Sequence, residues 1–279
     1  MILHLDADTT VQESYLDAAD ELRELEAAGG VLPFAHQPAP DPALQSAIDC
    51  YELVLYYYLE GLRWADSPYA FHTVGSTMVS SVSGYVRARG MPAKRQAGED
   101  FYFLQNIAKT GQIVSLRCTT VFPSPRVSKR VPFGTGARMV EAVEQGEDRF
   151  RVCDPICFGT LRQVLECVHG SMQLGAEGVL AHIENSEARR FLEGKGFLRR
   201  YAGFLKQFGP GDRCLDAFDR WFDALTQIQL IHHLTDESWP EKELLAAWEE
   251  LSERQAVKRP CRDVSGLLRW CRDRWFVNR

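Results

Sequence analysis

Two aspartates lie near the start of the chain, directly after a short apolar segment. Asp6 and Asp8 are separated by one residue and follow residues 2–5, which the pattern predicts to be a buried strand. If the extended backbone continues beyond this strand, both carboxylates point to the same side. Two carboxylates suit a hard divalent cation, which can bridge to nucleotide phosphates and neutralise a diphosphate leaving group. The pair predicts a metal site, although the same motif taken alone is also common on solvated turns.

A second acidic motif occurs further along the chain. Glu99 and Asp100 follow Gly98 at the start of a predicted helix over residues 101–110. Acids at a helix start are favoured by capping and by the helix dipole, which is the structural interpretation. The functional interpretation is that one carboxylate takes the proton from an acceptor hydroxyl while this hydroxyl attacks a sugar carbon. We expect the dipole to keep Asp100 ionised at neutral pH, which would also weaken it as a base.

Strands and helices alternate in the first half of the chain, and helices predominate in the second half. The predicted strands cover residues 1–5, 31–35 and 113–122. The predicted helices cover residues 11–28, 42–64, 83–89 and 101–110, and the last three lie near 212–234, 240–254 and 262–275. We therefore predict an α/β region over residues 1–140 and a helical region over residues 141–279. The Asp-x-Asp motif would lie at the carboxyl edge of a parallel sheet, where α/β proteins bind ligands.

Composition excludes some classes of protein and indicates a compartment. The net charge of −6 argues against a nucleic-acid-binding protein, which would carry a basic excess. The chain contains no run of 18 apolar residues and no signal peptide, which predicts a protein that does not span a membrane. Its 8 cysteines form no CxxC pair and indicate reduced thiols in the cytoplasm. Cys153, Cys157 and His169 are conceivable zinc ligands, but the spacing favours two small apolar residues on a helix.

The order of these motifs resembles that in the family 2 glycosyltransferases of the GT-A fold. These are inverting enzymes that take a sugar from a nucleotide-diphosphate donor. The resemblance covers roughly residues 1–140, and its last segment looks like a bacterial subgroup of the family. The motifs are LDADT at 5–9, GSTM at 75–78, Gly90, GEDFYF at 98–103 and SPRVSKRVPFGTG at 124–136. The resemblance implies a partial GT-A sheet followed by a helical C-terminal subdomain.

The resemblance also implies a role for individual residues. Asp8 would contact a Mn²⁺ or Mg²⁺ ion, and Asp6 would lie nearer the nucleotide. Asp100 would be the catalytic base, with Glu99 as its neighbour. Three basic residues would bind phosphate, which belongs either to the leaving nucleotide or to a phosphorylated acceptor. The alternative is that they form a solvated loop. The three residues are Arg126, Lys129 and Arg130. The residues on the acceptor side would be His72, Gly75 and Ser76, although a histidine in this position is more often a hydrogen-bonded core residue.

The family pattern also differs from this sequence at its start. In the family about 100 residues precede the Asp-x-Asp strand and bind the base and ribose of the donor, whereas here Met1 lies just before it. We therefore expect an N-terminally truncated form, a partner chain that supplies the missing half, or a protein that has lost catalysis. Transfer of a sugar to an unknown hydroxyl is the leading function. The alternatives are a non-catalytic binding or scaffold protein with the same fold and a metal-dependent hydrolase. An exposed strand at residues 2–5 also predicts self-association.

Overall fold

A computed structural model describes residues 1–92, 98–126, 150–258 and 261–276 of the chain. The fold belongs to the α/β class, with many helices and a small mixed sheet. The chain divides into two compact units. The first unit contains Met1–Leu59, Phe71–Phe150 and Lys258–Arg279, and the second contains Glu60–Ala70 and Arg151–Val257. The last residues of the chain, Lys258–Arg279, therefore belong to the first unit.

The sheet of the first unit has four strands in the order β1-β4-β3-β5. They are β1 (Ile2–Leu3), β3 (Gly29–Val31), β4 (Met78–Ser80) and β5 (Ile113–Ser115). Strand β4 runs antiparallel to both β1 and β3, whereas β3 and β5 are parallel. The predicted parallel sheet around β1 is therefore wrong, and β1 lies at the edge of the described sheet. Because β1, β3 and β5 nevertheless run in one direction, their carboxyl ends share an edge with the amino end of β4.

Four helices come between these strands along the first half of the chain. They are α1 (Ala18–Glu24), α2 (Pro42–Trp64), α3 (Val82–Arg87) and α4 (Glu99–Ala108). Helix α2 has the predicted bounds, because Asp41 accepts a hydrogen bond of 2.9 Å from the backbone of Leu44 and Pro42 occupies the first helical position. The predicted helix over residues 11–28 is much shorter, since Glu13–Asp17 forms a 3-10 turn before α1.

The predicted strand over residues 113–122 is two short strands instead. Strand β5 ends at Ser115, and β6 (Val121–Phe122) pairs with β2 (Thr10–Val11) in a separate antiparallel sheet. The interruption has a local cause in the side chain of Glu21. Its carboxylate accepts hydrogen bonds of 2.9 to 3.0 Å from the backbone of Arg117 and Cys118, so these amides do not continue the β5 ladder.

A buried ionic network joins the last helix of the chain to α2 within the first unit. Glu52 of α2 is fully buried and accepts hydrogen bonds of 2.7 and 3.0 Å from Arg272, on the helix that covers Val264–Phe276. His36 donates to the same carboxylate through its backbone, at 2.9 Å, and its ring Nδ1 lies 2.8 Å away. Burial raises the pKa of Glu52, but the hydrogen bonds from His36 and Arg272 outweigh it, and the net pKa is lowered.

The second unit is helical apart from one short antiparallel pair, β7 (Arg151–Val152) with β8 (Lys242–Glu243). The predicted helix over 212–234 is two helices, because Asp223 accepts a hydrogen bond of 3.0 Å from the backbone of Thr226 and caps a new helix. Cys153 and Cys157 are buried, and neither forms a disulfide. The helices, α5 to α12 in order, are Pro155–Gly170, Gly175–His182, Ser186–Gly194, Phe197–Phe208, Asp212–Trp221, Ala224–Glu237, Leu244–Arg254 and, in the first unit, Val264–Phe276. Among the described residues, no helix combines the length and apolar character needed to cross a bilayer.

Candidate active site

Asp6 is positioned by a buried serine at the shared edge of the sheet. It follows β1, and Ser76 precedes β4, so the antiparallel pairing of these strands brings the two residues together. The Ser76 hydroxyl donates to Asp6 Oδ2 at 2.9 Å and lies 2.8 Å from the hydroxyl of Thr9. Ser76 is only 1% exposed. The buried Ser76 hydroxyl therefore orients the Asp6 carboxylate. The resemblance implied instead that Ser76 lies on the acceptor side.

Asp8 has different neighbours from Asp6. The backbone N–H of Thr9 donates to the carbonyl of Asp6 at 3.1 Å, so the chain turns at this point and does not remain extended. The Asp8 carboxylate forms an ion pair with Arg126, whose NH1 lies 2.7 Å from Oδ2. Gln37 donates to the Asp8 carbonyl at 2.9 Å and holds the backbone. The premise that an extended backbone continues through the motif is therefore wrong.

Asp100 lies in the first turn of α4, where burial dominates its electrostatics. Gly98 adopts a left-handed conformation with φ of 86° and starts the helix. Burial raises the pKa of the Asp100 carboxyl to about 6, and the charges of Glu99 and Asp6 add to this rise. A hydrogen bond of 2.7 Å from the backbone of Phe101 to Oδ1 lowers the pKa without offsetting burial. A carboxyl with this pKa is still ionised at neutral pH, as expected, but the expected weakening of Asp100 as a base is wrong, because burial raises its pKa above that of an ordinary aspartate.

Gly75 lies between the two carboxylates. A methyl group on its Cα would place a carbon 3.6 Å from Asp100 Oδ2 and 3.9 Å from Asp6 Oδ2. One small group at this position would therefore touch both acids, which come from distant parts of the sequence. The structure thus brings together the two acidic motifs at a position where a glycine leaves room.

His72 is packed against aromatic residues near this edge. Its ring centroid lies 4.8 Å from that of Phe34, and its Nδ1 is 3.4 Å from the hydroxyl of Thr77. His72 and Phe34 line a small pocket with Tyr56 and Leu116. The space in this pocket accommodates little more than ordered water, so it offers no room for a sugar. These contacts favour the interpretation of His72 as a packed histidine.

Sequence analysis assigned no role to three residues that contribute to this region. Thr9 and Gln37 hold the Asp-x-Asp turn through the bonds described above. His4 precedes Asp6 by two residues, and burial lowers the pKa of its imidazole. Its Nε2 is buried and has no hydrogen-bond partner among the described residues. The sequence did contain a signal for His4. In an extended segment, residues two apart point to the same side, so His4 and Asp6 share one side.

The residues that the structure describes do not form a metal site by themselves. Within the described ranges, no group of three or more histidine, cysteine, aspartate or glutamate side chains is arranged to hold a metal ion. The oxygen donors of Asp6 and Asp8 fit Mg²⁺ or Mn²⁺, which are commonly held by one or two carboxylates together with water and substrate phosphates. The donor set therefore fits an ion that arrives with a diphosphate, provided that Asp8 separates from Arg126. Lys129 and Arg130 lie outside the described residues.

Comparison of the chain with protein-family models, with curated proteins and with solved structures finds no match. Any proposal about function therefore depends on the chemistry of this chain's own residues and on the resemblance of its motifs.

Proposed function

We propose that the protein is an inverting glycosyltransferase that moves a sugar from a nucleotide-diphosphate donor to an acceptor hydroxyl. The observation that carries the proposal is the convergence of Asp6 and Asp100 on Gly75, together with the raised pKa of Asp100. A base with a pKa near 6 is ionised at neutral pH and still accepts a proton more readily than an ordinary carboxylate. The order of the motifs supports the same reaction.

In the proposed reaction Asp100 accepts the proton of the acceptor hydroxyl. The hydroxyl oxygen attacks the anomeric carbon as the bond from this carbon to the phosphate oxygen breaks, and the nucleoside diphosphate leaves with the electron pair. A single displacement of this kind inverts the configuration and needs one base. Glu99 is exposed beside Asp100 and contributes to the base by raising its pKa.

Asp8 and Asp6 would hold the Mn²⁺ or Mg²⁺ ion that the resemblance implies. When bound, such an ion offsets the negative charge that develops on the diphosphate. Ser76 keeps the Asp6 carboxylate in a fixed orientation for this task, since its buried hydroxyl donates to Oδ2. Arg126 is the described member of the predicted phosphate-binding group. We place the activity in the cytoplasm, because eight cysteines that form no disulfide suit a reducing compartment.

A transfer assay with matched variants tests the proposal. The full chain is incubated with uridine- and guanosine-diphosphate sugars, a panel of hydroxyl acceptors and Mn²⁺ or Mg²⁺, and nucleoside diphosphate release is followed. We expect Asp100→Asn to lower turnover by about 10²- to 10⁴-fold, since it removes the base. Glu99→Gln, the adjacent exposed acid, is the control and should retain most of the activity. Full activity of a folded Asp100→Asn variant would remove Asp100 from the mechanism.

One observation favours a second candidate, a non-catalytic protein that binds a ligand with the same fold. The Asp8 carboxylate is already paired with Arg126. A folded wild-type chain that binds nucleoside diphosphates and releases none from any donor would identify this candidate.

A further inference from the structure

The ion pair between Asp8 and Arg126 joins two residues that the proposed function assigns to different parts of one ligand. Asp8 belongs to the predicted metal site, and Arg126 belongs to the predicted phosphate site. Their closest atoms are 2.7 Å apart, and their side chains are 32% and 53% exposed. The pair is thus formed on an accessible surface, where a ligand can reach both partners.

The backbone on the Asp8 side of the pair is held in place. Gln37 Nε2 donates to the carbonyl of Asp8 at 2.9 Å and to the carbonyl of Phe122 at 2.7 Å. Thr10 and Phe122 are also partners in the β2–β6 pairing. Two independent sets of contacts therefore hold the Asp-x-Asp turn against the segment that leads to Arg126. The ion pair itself joins only side-chain atoms, so none of these backbone contacts depends on it.

The strength of the pair suits an exchange of partners. Exposed ion pairs contribute little to stability, and their loss corresponds to at most about a fivefold change in an equilibrium constant. A guanidinium that moves to a phosphate forms two parallel charge-assisted hydrogen bonds, which are stronger than a solvated single contact. A carboxylate released at the same time becomes available to a divalent cation.

We propose that Arg126 occupies the Asp8 carboxylate while the site is empty and transfers to the phosphates when a divalent cation and a diphosphate bind together. Each ligand then takes one half of the ion pair, so binding of either favours binding of the other. By linkage, the factor by which diphosphate strengthens cation binding equals the factor by which the cation strengthens diphosphate binding. This inference rests on the proposed function, because it concerns the regulation of the same site.

Binding measurements on the full chain test the exchange without measuring catalysis. Mn²⁺ affinity is determined by electron paramagnetic resonance, with and without inorganic pyrophosphate, for the wild type and Arg126→Met. We expect Arg126→Met to bind Mn²⁺ alone about two- to fivefold more tightly, because Asp8 is already free. We expect its affinity for pyrophosphate to fall about tenfold or more. The enhancement of Mn²⁺ binding by pyrophosphate should shrink accordingly.

Two further variants make each result decisive. Arg23→Met removes another exposed ion pair of the first unit, between Arg23 and Asp20 at 2.6 Å, and should change neither affinity. Asp8→Asn should weaken Mn²⁺ binding. Unchanged Mn²⁺ and pyrophosphate affinities in Arg126→Met would overturn the exchange, as would weaker Mn²⁺ binding in that variant. The exchange would also be overturned if Asp8→Asn bound Mn²⁺ as tightly as the wild type, or if the wild type bound no Mn²⁺.

The outcome is separable from that of the proposed function. If Asp100→Asn leaves turnover unchanged while the binding data show the exchange of Arg126, the ion-pair exchange stands and the role of Asp100 as the base is rejected. If Asp100→Asn lowers turnover while Arg126→Met leaves Mn²⁺ binding unchanged, Asp100 stands as the base and the ion-pair exchange is rejected.

Discussion

Asp100→Asn should stabilise the fold at neutral pH while it slows the proposed reaction. Burial raises the pKa of Asp100 from 3.8 to about 6, so the folded protein favours the protonated carboxyl. The folded state therefore binds more protons than the unfolded state between these two pH values, and stability falls as pH rises through this window. Asparagine imitates the neutral acid and carries no such cost.

A rise of the Asp100 pKa from 3.8 to about 6 corresponds to about 3 kcal/mol at pH 7 and above. Urea unfolding of the wild type and Asp100→Asn between pH 4 and pH 8 measures the effect. We expect the difference in the free energy of unfolding to be below about 1 kcal/mol at pH 4, to grow through pH 6, and to approach 2–3 kcal/mol in favour of the variant at pH 7.

Glu99→Gln is the matched control for this experiment. Glu99 is adjacent and exposed, and its replacement should give a small difference in the free energy of unfolding, with only the weak pH dependence due to its effect on Asp100. A less stable Asp100→Asn variant at pH 7, or a difference that does not change between pH 4 and pH 7, would refute the reasoning. Either result would mean that Asp100 is not held at a raised pKa.

Three other substitutions test separate parts of the account. Gly75→Ala places a methyl group in ordinary contact with both carboxylates, so we expect it to retain the unfolding midpoint and to lower turnover at least about tenfold, as measured by nucleoside diphosphate release. Glu52→Gln leaves Arg272 without its buried counter-charge, and chemical denaturation should show a loss of about 3–5 kcal/mol, far above that for the exposed Asp20→Asn. Leu5 is 46% exposed after an edge strand, so light scattering should detect association of the wild type that Leu5→Lys reduces, and a monomeric wild type would contradict this.

The sequence predicted elements whose signals are local. Helix α2 has the predicted bounds, because its capping residue, first-turn proline and apolar spacing all lie within one segment. The splitting of residues 212–234 was not predicted, since Asp223 looks like any acid on an amphipathic helix until its side chain caps Thr226. The antiparallel course of β4 was also missed. Strands of two or three residues carry too little periodicity to fix their direction or their neighbours.

For the candidate site, the sequence identified the acidic residues and did not determine their environments. The helix dipole was expected to decide how strong a base Asp100 is, yet burial has the largest effect and raises its pKa to about 6. Ser76 was expected at the acceptor, and its pairing across β1 and β4 places it behind Asp6. Asp8 and Arg126 are far apart in the sequence, and neither local sequence indicates that the two residues form an ion pair. Local motifs thus predict which side chains are present, whereas tertiary contacts set their charge and orientation.

The pH dependence of nucleoside diphosphate release tests the central claim most directly. The rate is measured with Mn²⁺ and a nucleotide-diphosphate sugar that the chain turns over, across pH 4.5 to pH 8. If Asp100 is the base, kcat/KM should rise about tenfold per pH unit at low pH and level off above its pKa of about 6. A folded chain that releases no diphosphate from any donor, or whose rate shows no inflection near pH 6, would contradict the account.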